Sequence, residues 1–180
     1  ASSMIEGVGV NRIVRLQNRL KLLKERGKVE ESCPSPVSLP SGFRVFTPEE
    51  AETHFYLKKR KIPRDTVLNH RMGYCLTGRW ADRLIIPLYQ RGELMGFIGR
   101  SFFDPPSSLS PIGKKIWARA NSYVKVLNVK GFNSSKLLFN YDRFGEEVIV
   151  TEGVFDALRC GPSGTALFGK RMSSYQEGLL

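Results

Sequence analysis

Residues 147–161, EVIVTEGVFDALRCG, constrain the chain more than any other stretch. Val148-Ile149-Val150-Thr151 is an apolar, partly β-branched run that suits a buried strand. Glu152 and Gly153 break it, and Val154, Phe155, Ala157 and Leu158 then recur on one face of a helix with Asp156 in its first turn. A strand that ends on a carboxylate, a glycine to permit the turn and a second carboxylate early in the helix make a corner able to hold a metal. Mg²⁺ prefers such oxygen ligands and keeps positions open for phosphate. An acidic residue in a first helical turn also arises simply by complementing the helix dipole, so spacing alone leaves both readings open.

Charge narrows the choice. Among 180 residues, 28 Lys and Arg stand against 17 Asp and Glu, a net charge of +11 that favours an anionic partner, nucleic acid first. From Arg79 to Lys136 there are ten basic and three acidic residues, whereas from Tyr141 to Leu180 there are four basic and six acidic. A basic body that leads into an acidic corner suits a polyanion bound beside metal-dependent chemistry. No run approaches the roughly 18 apolar residues of a membrane span, and no signal-peptide core is visible. Cys33, Cys75 and Cys160 lie far apart with no CxxC pair, which argues against a zinc ribbon or a disulfide framework and for a reducing cytoplasm.

Residues 1–30 read as a basic amphipathic helix, with Val10, Ile13, Leu16, Leu20 and Leu23 on one stripe and Gly27 as its stop. Residues 31–42, with three prolines and four serines, read as a linker or strap. Residues 43–140 read as a basic α+β, nucleic-acid-binding subdomain. Thr47-Pro48-Glu49-Glu50 starts a helix that should run to about Lys59, and a short helix with Asp65 in its first turn should follow near Pro63. His54 and His70 have no partner at metal-ligand spacing and read as surface or packing residues. Arg83–Tyr89 and Leu94–Arg100 flank a turn-like Gln90-Arg91-Gly92-Glu93 and predict a hairpin. Residues 104–113 read as a loop, Tyr123–Leu127 as a strand, Ser135–Tyr141 as a short helix and Thr165–Gly169 as a second short strand. Ser173 or Ser174 should cap a last helix. GTALFGK at 164–170 comes close to a P-loop, but Arg171 stands where a hydroxyl must reach Mg²⁺, so that motif is rejected.

The candidate phosphate contacts are Arg83, Arg100, Lys114, Lys115, Arg119, Lys125, Lys130 and Lys136, with Trp80, Phe97, Phe102, Phe103, Trp117 and Tyr123 interleaved among them. Such contacts give affinity without sequence preference, and the aromatic rings can stack bases or simply form core.

The order of pieces, RLIIPL at 83–88, GFIGR at 96–100, KVLN at 125–128, SKLLFN at 135–140 and TEGVFDAL at 151–158, resembles the catalytic core of bacterial and phage DnaG-type primases over roughly residues 70 to 180. The resemblance implies an α+β N-terminal primase subdomain followed, over 141–180, by the start of an α/β TOPRIM (Rossmann-like) domain. It implies DNA-directed RNA primer synthesis by nucleotidyl transfer, with Mg²⁺ or Mn²⁺ as cofactor and ribonucleoside triphosphates and a single-stranded DNA template as substrates. A replicative helicase is the implied partner, in a bacterial cell or phage-infected host. Glu152 would match the family's metal-site glutamate and Asp156 its companion. Arg83, Arg100, Lys125 and Lys136 would match basic residues that hold template or nucleotide phosphates. The family's Asp-x-Asp does not occur between Asp156 and Leu180, and its zinc ribbon is not found, so a fragment, or a split or degenerate primase, is expected. The alternative is a non-catalytic single-stranded-DNA-binding or replication-scaffold module in which Glu152 and Asp156 are structural remnants.

Overall fold

The computed structural model describes residues 35–143 and 145–180, and the helix expected over residues 1–30 lies outside them. The predicted hairpin is the centre of the fold. Strands β3 (Arg83–Gln90) and β4 (Glu93–Ser101) pair antiparallel along their length. They are joined by Arg91 and Gly92 alone, at φ 57° and 76°. Two successive left-handed residues make the mirror-image turn whose twist matches that of the flanking strands. Arginine is an unusual occupant of that first position. The carboxylate of Asp142 accepts the backbone N–H of Arg91 at 2.5 Å and of Gly92 at 2.9 Å.

Three short strands complete an antiparallel sheet in the order β1 (Phe43–Val45), β2 (Gly73–Cys75), β3, β4, β5 (Val126–Asn128). The period-2 alternation of the hairpin separates two apolar faces. Leu84, Ile86, Leu88 and Ile98 join Tyr56, Leu57, Val67 and Phe139 in the larger core, which also takes in Val154, Ala157 and Ala166. Ile85 and Phe97 face the other way, where Val37, Leu39, Phe43 and Trp80 cover them. Val37 also donates its N–H to the Leu94 carbonyl at 2.8 Å, which pins the irregular 35–42 segment across the sheet.

The acidic end of the chain forms a separate two-stranded parallel pair, β6 (Ile149–Thr151) and β7 (Gly164–Ala166), crossed over by the helix Val154–Arg159. The helix packs so tightly on β7 that a Cβ at Gly164 would stand 2.0 Å from the Ala157 carbonyl oxygen. Leu137 is extended and the chain then turns at Phe139 and Asn140 beside β7, with Phe139 N–H donated to the Ala166 carbonyl at 3.1 Å.

Several expectations are corrected. The helix starting at Thr47 has the predicted capping box, but it breaks at His54 (φ −61°, ψ 124°) into Pro48–Thr53 and Phe55–Arg60. The buried residues explain the break: Ala51 lies five and six positions before Tyr56 and Leu57, which a straight helix would turn onto other faces. The loop placed over 104–113 ends early, because Ser110 caps a helix Pro111–Ala120 with its Oγ accepting the Gly113 N–H. The short helix expected at 135–141 is instead two 3-10 turns, Ser134–Lys136 and Tyr141–Arg143. Between them Leu137–Asn140 are all buried, which a surface helix cannot achieve for four consecutive residues. Strand β6 is not buried: Ile149 and Val150 are 51% and 39% exposed, since β7 is its one neighbour among the described residues. Strand β7 stops at Ala166, short of the predicted Gly169, and Phe168 turns into the left-handed region. Ser173 caps the last helix, Ser174–Glu177.

His70 packs as expected, stacked on the Phe139 ring at 5.1 Å between centroids. Burial, with Arg143 adding to it, holds its imidazole at about 4. As pH falls, the unfolded chain therefore takes a proton near the ordinary histidine value of about 6.5, before the folded chain does. Stability from this group is complete above that value and declines down to about pH 4, by at most about 1.4 kcal/mol per pH unit. Glu50, held low by the Thr47 backbone N–H, adds its own loss only further down. Urea unfolding followed between pH 7 and 4 should show this slope, and His70→Gln should reduce it to the part contributed by His54, which burial also holds down.

Candidate active site

The acidic corner forms where β6 ends. Thr151 Oγ1 lies 3.0 Å from the Gly153 carbonyl and 2.9 Å from that of Thr165, so one hydroxyl ties the turn to the neighbouring strand. Gly153 precedes the helix at φ −126° and ψ 149°, a conformation open to any residue, and a Cβ there would meet nothing nearer than Asp156 Oδ2 at 3.7 Å. The turn therefore does not depend on glycine at 153, contrary to the sequence expectation. In this crossover unit the glycine that geometry requires is Gly164.

Glu152 and Asp156 are both exposed and line a cavity of about 410 Å³. Asp156 Oδ1 accepts from Arg159 Nη1 at 2.9 Å, an i,i+3 surface pair of the kind that contributes little and is easily exchanged. Across the cavity lie Ile98 and Arg100 of β4 and Val126 and Asn128 of β5, so the basic sheet and the acidic corner share one opening. Phe132, Phe155 and Phe168 supply apolar walls.

Arg100 is 4% exposed. Its Nε donates to the Tyr56 hydroxyl at 3.1 Å and its Nη2 to Asp104 Oδ1 at 2.8 Å. Asp104 also accepts the Tyr123 hydroxyl at 3.2 Å and faces Arg60 Nη2 at 3.7 Å. Arg60 lies over the Phe155 ring at 5.3 Å, one residue from Asp156. Arg60 and Asp104 are the residues the sequence reading missed. The run Lys58-Lys59-Arg60 was a signal for the first, but a lone aspartate in a proline-rich loop gave none for the second.

Of the nucleic-acid candidates, only Arg100 lines this cavity. Arg83 donates Nη1 to the carbonyls of Gly99 (3.2 Å) and Val124 (2.8 Å), and burial pushes its guanidinium down from the ordinary value. Lys114, Lys115 and Arg119 are exposed on the helix Pro111–Ala120, and Lys125 is exposed just before β5. Lys136 is half-buried with Nζ 5.8 Å from the Tyr175 ring centre.

Among the described residues no group of three or more His, Cys, Asp or Glu is placed to hold a metal. The two carboxylates nonetheless fit Mg²⁺ by donor chemistry. That ion takes hard oxygen ligands and is commonly held by one or two carboxylates, with water and substrate phosphate filling the remaining positions. No helix of the described residues is long and apolar enough to cross a membrane.

No protein-family model and no curated protein matches the chain. Solved structures do. The E. coli primase catalytic core is similar with a TM-score of 0.52 and 16% identity over 75% of this chain and 53% of that one. The RNA polymerase domain of Mycobacterium tuberculosis primase DnaG gives a TM-score of 0.52 and 17% identity over 74% and 54%. A DnaG primase catalytic domain bound to single-stranded DNA gives 0.52 and 16% over 75% and 53%. The fold, a mixed α/β arrangement with an antiparallel sheet, is thus similar to that of DnaG catalytic cores, the family the ordered motifs resemble. The chain spans about half the length of these structures.

The contrast between the two glycines is open to measurement. Gly164→Ala should cost about 3 kcal/mol or prevent folding, because backbone rather than a flexible side chain blocks the new Cβ. Gly153→Ala should cost under about 1 kcal/mol, as only the cap preference changes. Thermal unfolding of both variants by calorimetry checks the pair.

Proposed function

We propose that this chain is part of a primase core, a nucleotidyltransferase that makes RNA primers on a single-stranded DNA template from ribonucleoside triphosphates. The observation that carries the reading is the shared cavity, in which Arg100 of the sheet and Glu152 and Asp156 of the crossover unit face one opening. The likeness to DnaG catalytic cores supports it. The second unit is read as the start of a TOPRIM domain, since a parallel β6–helix–β7 crossover delivers Glu152 at the end of its first strand.

In this reading Glu152 and Asp156 hold Mg²⁺ or Mn²⁺, which when bound supplies Lewis-acid stabilisation of a triphosphate and its leaving group. Glu152 carries the larger part because Asp156 is shared with Arg159. Arg100 offers a fixed positive charge whose position is set by Tyr56 and Asp104, so it need not reorganise when phosphate arrives. Lys114, Lys115, Arg119 and Lys125 lie outside the cavity, and their part is to hold template phosphates, with Arg83 and Lys136 fixing the elements beside them. A replicative helicase is the proposed partner.

A second reading has its own observation. The helix Pro111–Ala120 exposes Ile112 and Ile116 (71% and 63%) beside Lys114, Lys115 and Arg119. That surface suits a module that tethers single-stranded DNA without chemistry.

Ribonucleotide incorporation on single-stranded DNA with Mg²⁺ or Mn²⁺ separates the two. Primase chemistry predicts that Glu152→Gln lowers incorporation roughly 100-fold or more, the scale of losing one electrostatic catalytic group, with no change in melting temperature. Glu152→Gln as active as the parent chain would sink the primase assignment. DNA binding that falls steeply with salt, ignores Mg²⁺ and is unchanged in Glu152→Gln would establish the tether instead.

A further inference from the structure

The turn end of the hairpin opens on a cavity of about 400 Å³ that shares no residue with the one at Glu152. An adjoining recess of about 320 Å³ has Asn69, His70, Asn140 and Arg143 in common with it, so the two make one groove. The volume lies within the roughly 300–1,000 Å³ typical of small-ligand sites.

Four features equip this groove for a ligand. First, it carries two guanidinium groups. Arg71 and Arg143 line it and form no ion pair among the described residues, although Arg143 Nη2 donates to the Asn69 carbonyl. Asp142 also lines it, but both its oxygens are taken by the backbone of the hairpin turn. Asp65 stands in the adjoining recess. Second, aromatic faces are at hand: Arg71 lies 6.0 Å from the Tyr89 ring centre, and His70 stacks on Phe139. With its imidazole held at about 4, His70 presents an uncharged ring at neutral pH.

Third, a buried acceptor waits for a donor. Asn140 is 7% exposed and gives its amide hydrogens to the Pro162 and Gly164 carbonyls, at 2.8 and 3.1 Å. Its Oδ1 has no partner, and a buried acceptor left unmade carries its full desolvation cost. Fourth, Arg71 holds left-handed backbone at φ 49°, where a long side chain is uncommon. Strain of this kind gathers at ligand clamps and switch points.

We propose that this groove binds a mononucleotide, its phosphate between Arg71 and Arg143 and its base against Tyr89 and His70. Guanidinium groups match phosphate oxygens two at a time, and the neutral rings take the base face without adding charge. The site is independent of the Glu152 corner and does not rest on the primase reading.

Calorimetric titration of the chain with adenosine monophosphate tests it, with inorganic phosphate titrated in parallel. Saturable one-to-one binding below about 1 mM is expected, with phosphate alone at least roughly tenfold weaker. Arg71→Asn keeps a residue that tolerates positive φ while removing the charge, and should weaken binding roughly tenfold or more. Arg143→Ala should do the same, and if it fails to fold, Arg71→Asn carries the test alone. Glu152→Gln should bind as the parent does. Absence of binding up to about 10 mM by protein shown folded by circular dichroism overturns the proposal. So does undiminished binding by Arg71→Asn, loss of binding in Glu152→Gln, or phosphate binding as tightly as the nucleotide.

Discussion

Arg100 is a guanidinium almost wholly removed from water, and much of the architecture answers to that fact. An uncompensated buried charge costs several kcal/mol, so its surroundings must supply an acceptor and a counter-charge. Asp104, four residues on, provides the charge, and the Tyr56 hydroxyl completes the set. Asp104 in turn gathers Arg60 and Tyr123, which belong to the helical layer and to the approach to β5. Arg60 then reaches the Phe155 ring on the crossover helix. One desolvated cation thereby links the sheet, the helices before it and the unit that bears Glu152. The order matters chemically as well as structurally: a charge fixed by two partners is already oriented before any phosphate approaches.

The parts of the fold legible in the sequence are those with a local cause. The hairpin followed from two β-rich runs about a turn, the capping box from Thr47 and Glu50, and the strand–helix corner from a change of period at Glu152. What escaped depended on distant contacts. His54 breaks a helix because Ala51 and Tyr56 must both face inward, which no window around His54 reveals. Leu137–Phe139 are helix-compatible residues drawn into a non-helical path by Ala166 and Thr165, which lie more than twenty positions later. Ser110-Pro111 was a readable helix start, hidden by the prolines around it.

The same division holds at the candidate site. Residue order marks Glu152, Asp156 and Arg100, and one cavity holds them together. Lys114, Lys115 and Arg119 entered by charge alone, and charge does not say on which surface a residue stands. Burial likewise reversed the expected weight of the glycines. Gly153, beside the carboxylates, is conformationally ordinary, whereas Gly164 is required by the backbone of Ala157. Side-chain identity marks chemistry well; it marks close packing poorly, because the reason for a glycine lies in the neighbour it admits.

The hairpin turn held by Asp142 has a consequence for how the chain acquires its shape. The carboxylate that secures Arg91 and Gly92 lies 51 and 50 residues downstream of them. On a ribosome the two strands emerge well before that clasp exists, and Arg91 must enter a left-handed conformation without support. Until Asp142 arrives, the alignment of β3 with β4 rests on their own ladder and packing, and a slip by one residue would exchange the side chains of the two covered faces. The turn is thus the last feature of the hairpin to become secure, and its closure reports that the two halves of the described fold have met.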